Sequence, residues 1–242
     1  GMTAAIYTSR LGLKTQVIEN LIPGGQIINV EKIEDFPGFP QGISGAELTD
    51  LMKTQAQING SEFVMSEISK ISKKEDVWTI QSSESKVMTK TIIIAAGSTL
   101  SKLNVPGEKE LVGGGVSYCA TCDGAFFIDQ KVCVIGGGDS ALQEALSLSE
   151  FAKEIYILCN KSSLHAQKIL QDRVESYKKI SIKFNVQISE IHGDGMVEHI
   201  SILNLSNNET TKIKMDGVFI FVGLNPNSQN FNDLVNTDQS GH

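Results

Sequence analysis

The chain has 242 residues, of which 40% are hydrophobic and 20% charged, with a formal net charge of −7. Such a chain buries a sizeable core as one large domain or two smaller ones, and its acidic balance argues against a nucleic-acid or anionic-membrane surface, which needs clustered Lys and Arg. No apolar run reaches the length of a membrane span, no charged-then-apolar leader opens the chain, and four cysteines make no disulfide scaffold, so a reducing compartment, the cytoplasm, is expected.

Ala4, Ala5, Ile6 and Tyr7 read as a helix already under way, with Gly12 as its stop and residues 15–18 as a strand ending on Glu19. A helix followed by a strand with a terminal acid is the second half of a dinucleotide-binding βαβ unit. In that unit the acid lies about 20 residues past the glycine fingerprint and holds a ribose hydroxyl. Gly1 is the one fingerprint glycine present, so the first strand and phosphate loop are expected to lie outside these residues. "IPGGQ" (22–26) is a glycine-rich turn where backbone could approach a ligand closely. A helix follows over 43–60: Ser44 and Glu47 have capping-box spacing, Leu48, Leu51 and Met52 share a face, and Gly60 is the stop. Residues 63–90, short and alternating with Trp78 among them, predict a small meander, and "TIIIAAGS" (91–98) predicts a buried strand running into a glycine turn.

A second unit opens at Lys131. "KVCVIGGGDSALQEALSLSEF" reads as strand, glycine turn and helix, and "EIYILCN" as a parallel-type buried strand. A helix over 164–178 precedes further strands, which end in "GVFIFVGLNPN" (217–227), where Gly223 echoes Gly97. The chain thus holds two copies of one plan: a βαβ unit, a meander, then a strand ending in glycine.

Three constellations carry chemistry. Gly136, Gly138 and Ala141 fit G-x-G-x-x-[GA], with Asp139 and Ser140 inside it. That pattern supplies a tight turn, close backbone approach to a pyrophosphate, and a helix N-terminus that attracts anions. A ligand-free glycine turn is the bland alternative; the flanking strand and helix favour binding. The ribose acceptor should end the next strand, where Cys159-Asn160-Lys161 offers neither the carboxylate that favours NAD nor the arginines that favour NADP. Asn160 could bond a 2′-hydroxyl, and Lys161 could neutralise a 2′-phosphate as a mobile point charge.

The third constellation is "SYCATCDGAFF" (117–127). Cys119 and Cys122 have the spacing of a pair that cycles between dithiol and disulfide. A zinc site would need two more ligands, yet Cys133 and Cys159 fall in predicted buried strands, and His192, His199 and His242 offer no matching pair. Redox chemistry is therefore favoured over zinc or inert core thiols. Asp123 is either a turn-former before Gly124 or a proton donor to the departing thiolate, and spacing alone does not separate the two.

In order along the chain, "TAAIYTSR", "PGGQI", "FPGFP", "IIIAAGS", "VSYCATCDGAFF", "VIGGGDSALQEA" and "GVFIFVGLNPN" resemble the low-molecular-weight bacterial-type thioredoxin reductases. The resemblance implies an α/β fold with two Rossmann-like three-layer dinucleotide-binding domains, the second inserted in the first. Residues 1–102 would be an FAD-binding domain without its first strand and glycine loop. Residues 103–224 would be the pyridine-nucleotide domain carrying the C-x-x-C, and 225–242 the start of the return to the FAD domain, whose Gly-Asp flavin segment is expected to lie outside these residues. Electrons would pass from NADPH or NADH to FAD, to the Cys119–Cys122 disulfide, and on to thioredoxin, in a homodimer without nucleic-acid or membrane partners. Cys122 would face the flavin, Cys119 would attack the partner, and Asp123 would act as the acid. One domain would rotate against the other about 98–107 and 223–228. Glu19, Gly24, Gly25 and Gln26 would line the FAD, Gly97 would pack on it, and Asp35 replaces the usual Asn.

One departure bears on the electron donor. The family's His-Arg-Arg signature, with a further Arg, reads here as Cys159, Asn160, Lys161 and His165, so NADPH preference does not carry over. A dithiol oxidase or a ferredoxin-fed reductase on the same scaffold is the first alternative, opposed by the retained "GGGDSA". A non-catalytic nucleotide-binding or zinc-holding remnant is the second.

Overall fold

Residues 1–83, 85–231 and 233–242 are described by the computed structural model. They divide into two units, 1–99 with 225–242, and 100–224.

In the first unit, α1 (Met2–Arg10) buries Ala5 and Ile6, and the chain reverses through Gly12 at φ +76°. β1 (Gln16–Glu19) follows. α2 (Gly45–Ile58) is capped by Ser44, whose Oγ accepts the Glu47 N–H at 3.2 Å, a bond worth about 1 kcal/mol. The stripe that α2 buries holds Gly45, Leu48, Thr49 and Ala56. Leu51 sits on its flank, 47% exposed, so the buried face is narrower than the sequence implies. β2 (Glu62–Met65) pairs in parallel with β1. Phe63 therefore packs with Val17, Ala5, Ile6 and Ala56, and the meander starts later than expected. It consists of the antiparallel strands β3 (Ile68–Lys74), β4 (Val77–Ser82) and β5 (Lys86–Thr89).

Residues 91–97 differ from expectation. They join no ladder among the described residues, and Ile93 is 61% exposed. An apolar run becomes a buried strand only when neighbouring strands satisfy its backbone on both sides; among the described residues no strand does, while Asn227 bonds Ala96 O and Gly97 O at 2.9 and 3.0 Å. β6 (Ser98–Leu100) follows.

The second unit is built on β7 (Val116–Ser117), α3 (Ala120–Asp123), β8 (Lys131–Ile135), α4 (Asp139–Leu148), β9 (Glu154–Leu158), α5 (Lys168–Ser176) and β10 (Ile180–Lys183). A meander of β11 (Val186–His192), β12 (His199–Asn204) and β13 (Thr210–Lys214) leads to β14 (Gly217–Ile220) and β15 (Leu224–Pro226), which pairs with β6. The five-stranded sheet has the order β10-β9-β8-β14-β7, every pair parallel. On one face Val132, Val134, Ile155, Ile157 and Phe219 meet Leu142, Ala145 and Leu148 of α4 and Val174 of α5. On the other, Cys133, Ile135, Leu158, Val218 and Ile220 meet Ile188, Ile191, Ile200 and Ile202 of the meander. Burial on both faces is why β8 and β9 read as continuous apolar runs.

The helix expected over 164–178 starts at Lys168 instead. Its intended first turn is a loop tied elsewhere: Asp139 accepts the Gln167 N–H at 2.6 Å, and the His165 N–H bonds to Gly137 O at 2.9 Å. The α/β class, with a parallel sheet between helices and a meander, is as expected from the sequence.

Candidate active site

Cys119 and Cys122 are joined by a disulfide, with their Cα atoms 5.3 Å apart. The chain reaches them from β7 in an extended conformation at Cys119 (φ −150°, ψ 104°) and then turns into α3. The backbone groups around the pair have defined partners. Ser117 Oγ accepts the Cys119 N–H at 3.0 Å and donates to Cys119 O at 3.2 Å. The Ala120 N–H bonds to Glu144 Oε2 at 2.7 Å, and the Asp123 N–H to Cys119 O at 3.2 Å.

The Cys122 N–H points at Cys119 Sγ, 3.1 Å away. A donor aimed at a sulfur favours a thiolate at that atom. Cys122 is exposed in its unit and Cys119 half-buried. Asp123, half-buried, adjoins Cys122.

The residues after the pair split between core and surface. A Cβ at Gly124 would lie 3.1 Å from the Phe151 ring, so glycine lets the turn settle on the end of α4. Phe127 packs edge-on against Phe219 with ring centroids 5.1 Å apart, whereas Phe126 is 76% exposed and gives the site an apolar rim. Cys133 and Cys159 are free and buried, and burial pushes the Cys133 thiol far above its ordinary range. They are core thiols.

The glycine loop lies in the same unit. Gly136 has φ +140°, and a Cβ there would fall 2.3 Å from Phe221 O. A Cβ at Gly137 would meet Cys159 Sγ at 2.6 Å, and one at Gly138 the His165 Nε2 at 3.1 Å. Gly138 begins α4 with no side-chain cap. A glycine cradle beside an uncapped helix start fits a pyrophosphate, so a nicotinamide nucleotide suits these residues. Asp139 would offer backbone, since its carboxylate is engaged by Gln167 N and Nε2 at 2.6 and 3.2 Å. Ala141 is buried against the sheet, Ser140 is exposed at the helix start, and Asn160 and Lys161 are exposed beyond β9. The chain's two arginines are Arg10 and Arg173, neither within the loop 159–167.

In the first unit, Gln26 Nε2 donates to Ser98 O at 3.1 Å, which brings the 22–27 turn to the Gly97 turn. Gly24, Gly25 and Gly97 all have positive φ. Glu19 Oε1 accepts the backbone N–H of Asn20 and Leu21 at 2.9 and 3.3 Å, and Asp35 is exposed on a separate loop. Ile22, Ile27, Ile93 and Ile94 of these segments are exposed. Uncovered apolar side chains on glycine turns fit a flat aromatic ring system.

Two clusters have no signature in the sequence. Glu144 lies on the flank of the stripe formed by Ala141, Leu142, Ala145 and Leu148, and nothing in its spacing says that it meets Ala120. Glu108, 3% exposed, accepts the N–H of Leu103 and Asn104 at 3.0 and 2.6 Å and the Tyr118 hydroxyl at 2.7 Å. These bonds tie the entry segment of the second unit to the residue before Cys119. In the sequence, Pro106-Gly107 before it shows only a turn.

The profile of the pyridine nucleotide-disulphide oxidoreductase family matches residues 1–242. The thioredoxin reductase of Bacillus subtilis is 41% identical over 243 residues, covering all of this chain and 77% of that one. The thioredoxin reductase of Listeria innocua is 40% identical, covering 100% and 76%. Among solved structures, the thioredoxin reductase of Lactococcus lactis has a TM-score of 0.96 at 40% identity, covering 100% of this chain and 80% of that one. The thioredoxin reductase of T. acidophilum has a TM-score of 0.93 at 32% identity with the same coverage.

Proposed function

The chain belongs to the pyridine nucleotide-disulphide oxidoreductase family, and from that premise we propose that it is a flavin-dependent disulfide reductase. It would pass electrons from a nicotinamide nucleotide, through Cys119 and Cys122, to thioredoxin. The observation that carries the reading is the Cys119–Cys122 disulfide in a turn that directs an N–H at Cys119 Sγ. The relatives' shared name supplies the partner.

Unit 1 holds FAD through Glu19, Gly24, Gly25, Gln26, Asp35 and Gly97. Unit 2 holds the nucleotide through Gly136, Gly138, Asp139, Ser140, Ala141, Asn160 and Lys161. When bound, the flavin supplies the electron pair, taken from the nicotinamide, that opens the intrachain disulfide. Asp123 gives a proton to the Cys122 sulfur as that bond opens. The Cys119 thiolate, favoured by the Cys122 N–H, attacks one sulfur of the partner's disulfide and expels the other as a thiolate. Cys122 then returns its proton to Asp123 and attacks the Cys119 sulfur of the mixed disulfide, which restores the intrachain bond and expels the partner's remaining sulfur as a thiolate. The protein works in a reducing compartment, the cytoplasm. It assembles as a homodimer, a reading supported by the exposed Tyr7, Leu11 and Leu13 on and after α1.

The absence of arginine from 159–167 favours a second reading, in which a ferredoxin or a small dithiol rather than NADPH feeds the same cysteines. One experiment separates them: thioredoxin reduction by the FAD-loaded protein, with NADPH and NADH supplied in turn. Turnover with either donor, abolished in Cys119→Ser and Cys122→Ser, supports the first reading. No turnover with either, together with turnover from reduced ferredoxin or oxygen uptake on a dithiol, supports the second.

A further inference from the structure

We propose that Glu144 is a positioning residue for the redox pair: it holds the turn bearing Cys119 and Cys122 onto the helix that follows the glycine loop. This rests on reading that pair as the redox centre. Glu144 Oε2 accepts the N–H of Ala120, within the four residues 119–122, at 2.7 Å, and Glu144 is half-buried. Ala120 is 1% exposed and belongs to the same core as Leu142, Ala145 and Leu148 of α4. The turn is thus anchored twice on one helix, by an apolar contact and by a carboxylate.

The bond divides the donors of the turn. The Ala120 N–H goes to Glu144, and the Cys122 N–H goes to Cys119 Sγ. Holding the peptide between 119 and 120 in one orientation fixes the direction of the Cys119 side chain, and with it the donor that its sulfur receives. The carboxylate is bonded to the residue next to Cys119, so its charge opposes a second negative charge on the Cys119 sulfur. Glu144 therefore sets the geometry of the nucleophile while holding back its ionisation.

The two effects separate by substitution. Glu144→Gln keeps an acceptor for Ala120 and removes the charge. Glu144→Ala removes both and leaves a buried N–H without its partner. The test follows the rate of iodoacetamide alkylation at Cys119 against pH, in reduced protein carrying Cys122→Ser so that a single accessible thiol remains. Cys133 and Cys159 are buried and stay silent. Glu144→Gln is expected to move the midpoint of the profile down by about half to one pH unit, making alkylation about three- to tenfold faster below the midpoint. Glu144→Ala, which also loosens the turn that aims the Cys122 N–H at Cys119 Sγ, is expected to move it down by less than Glu144→Gln does. Profiles that superimpose on the parent in both variants, with only a lowered melting temperature, would show a purely structural residue and overturn the proposal. The readout needs no flavin, nucleotide or thioredoxin, so failed turnover of the parent would sink the proposed function and leave the alkylation result standing.

Discussion

Replacing Glu108 by alanine is expected to unfold the second unit preferentially. The carboxylate accepts three hydrogen bonds, from Leu103 N, Asn104 N and the Tyr118 hydroxyl, at 2.6–3.0 Å. Bonds to a charged acceptor contribute about 1.5–3 kcal/mol each, so three of them set a ceiling of about 5–9 kcal/mol. Asn104 is exposed and Tyr118 half-exposed, so both regain water once the carboxylate is gone, and the expected loss is about 3–5 kcal/mol. Tyr118→Phe removes one of the three bonds and should cost about 1–2 kcal/mol. Tyr118 also gives the pH dependence its sign. Burial first, then the bond to Glu108 and its charge, hold the phenol well above the ordinary tyrosine value. Its contribution is full below the unfolded value of about 10 and is lost as pH rises through the higher folded value. Tyr118→Phe should remove that alkaline loss. Urea unfolding read by hydrogen exchange on peptides from 100–118 reports the second unit. Fluorescence of Trp78, the single tryptophan, reports the first. Glu108→Ala with a second-unit stability within about 1 kcal/mol of the parent would refute the reasoning, because losing three bonds to a charged acceptor costs more than that.

A Cβ at Gly137 would lie 2.6 Å from Cys159 Sγ. Gly137→Ala should therefore cost about 1–3 kcal/mol and weaken nucleotide binding, and adding Cys159→Ala should recover both, as calorimetric melting and nucleotide titration would record. Acid should weaken the second unit through His199. Desolvation first, then Lys212 and His192, lower the pKa of this ring, and its Nε2 has no partner among the described residues. A base depressed in the fold contributes stability above its unfolded value, about 6.5, and loses it as pH falls through the lower folded value. The melting temperature should drop across that window in the parent and less so in His199→Gln.

Much of the fold was legible because local rules and tertiary context agree. Ser44 caps α2, Gly12 reverses the chain after α1, and the apolar runs at 131–135 and 154–158 are strands buried on both faces. Where context decided, the sequence was a poorer guide. Residues 91–97 have the composition of a buried strand but no neighbouring ladder among the described residues. Residues 164–167 have helical character but are held as loop by Asp139 and Gly137. The redox pair announced itself by spacing, because both cysteines lie within one turn. Glu108 and Glu144 did not, since no spacing marks their partners: Glu144 bonds the backbone N–H of Ala120, and Glu108 bonds two backbone N–H groups and the Tyr118 hydroxyl. Only folding brings Glu144 to the 119–122 turn and Glu108 to the Tyr118 hydroxyl.

The central claim is that electrons from a nicotinamide nucleotide come to rest on two sulfurs. Its most direct test is an anaerobic one: the FAD-loaded protein is reduced with NADPH or NADH, quenched with an alkylating reagent, and mapped by peptide mass spectrometry. The account predicts alkylation at Cys119 and Cys122 and none at the buried Cys133 and Cys159. A bleached flavin beside an intact Cys119–Cys122 bond would contradict it.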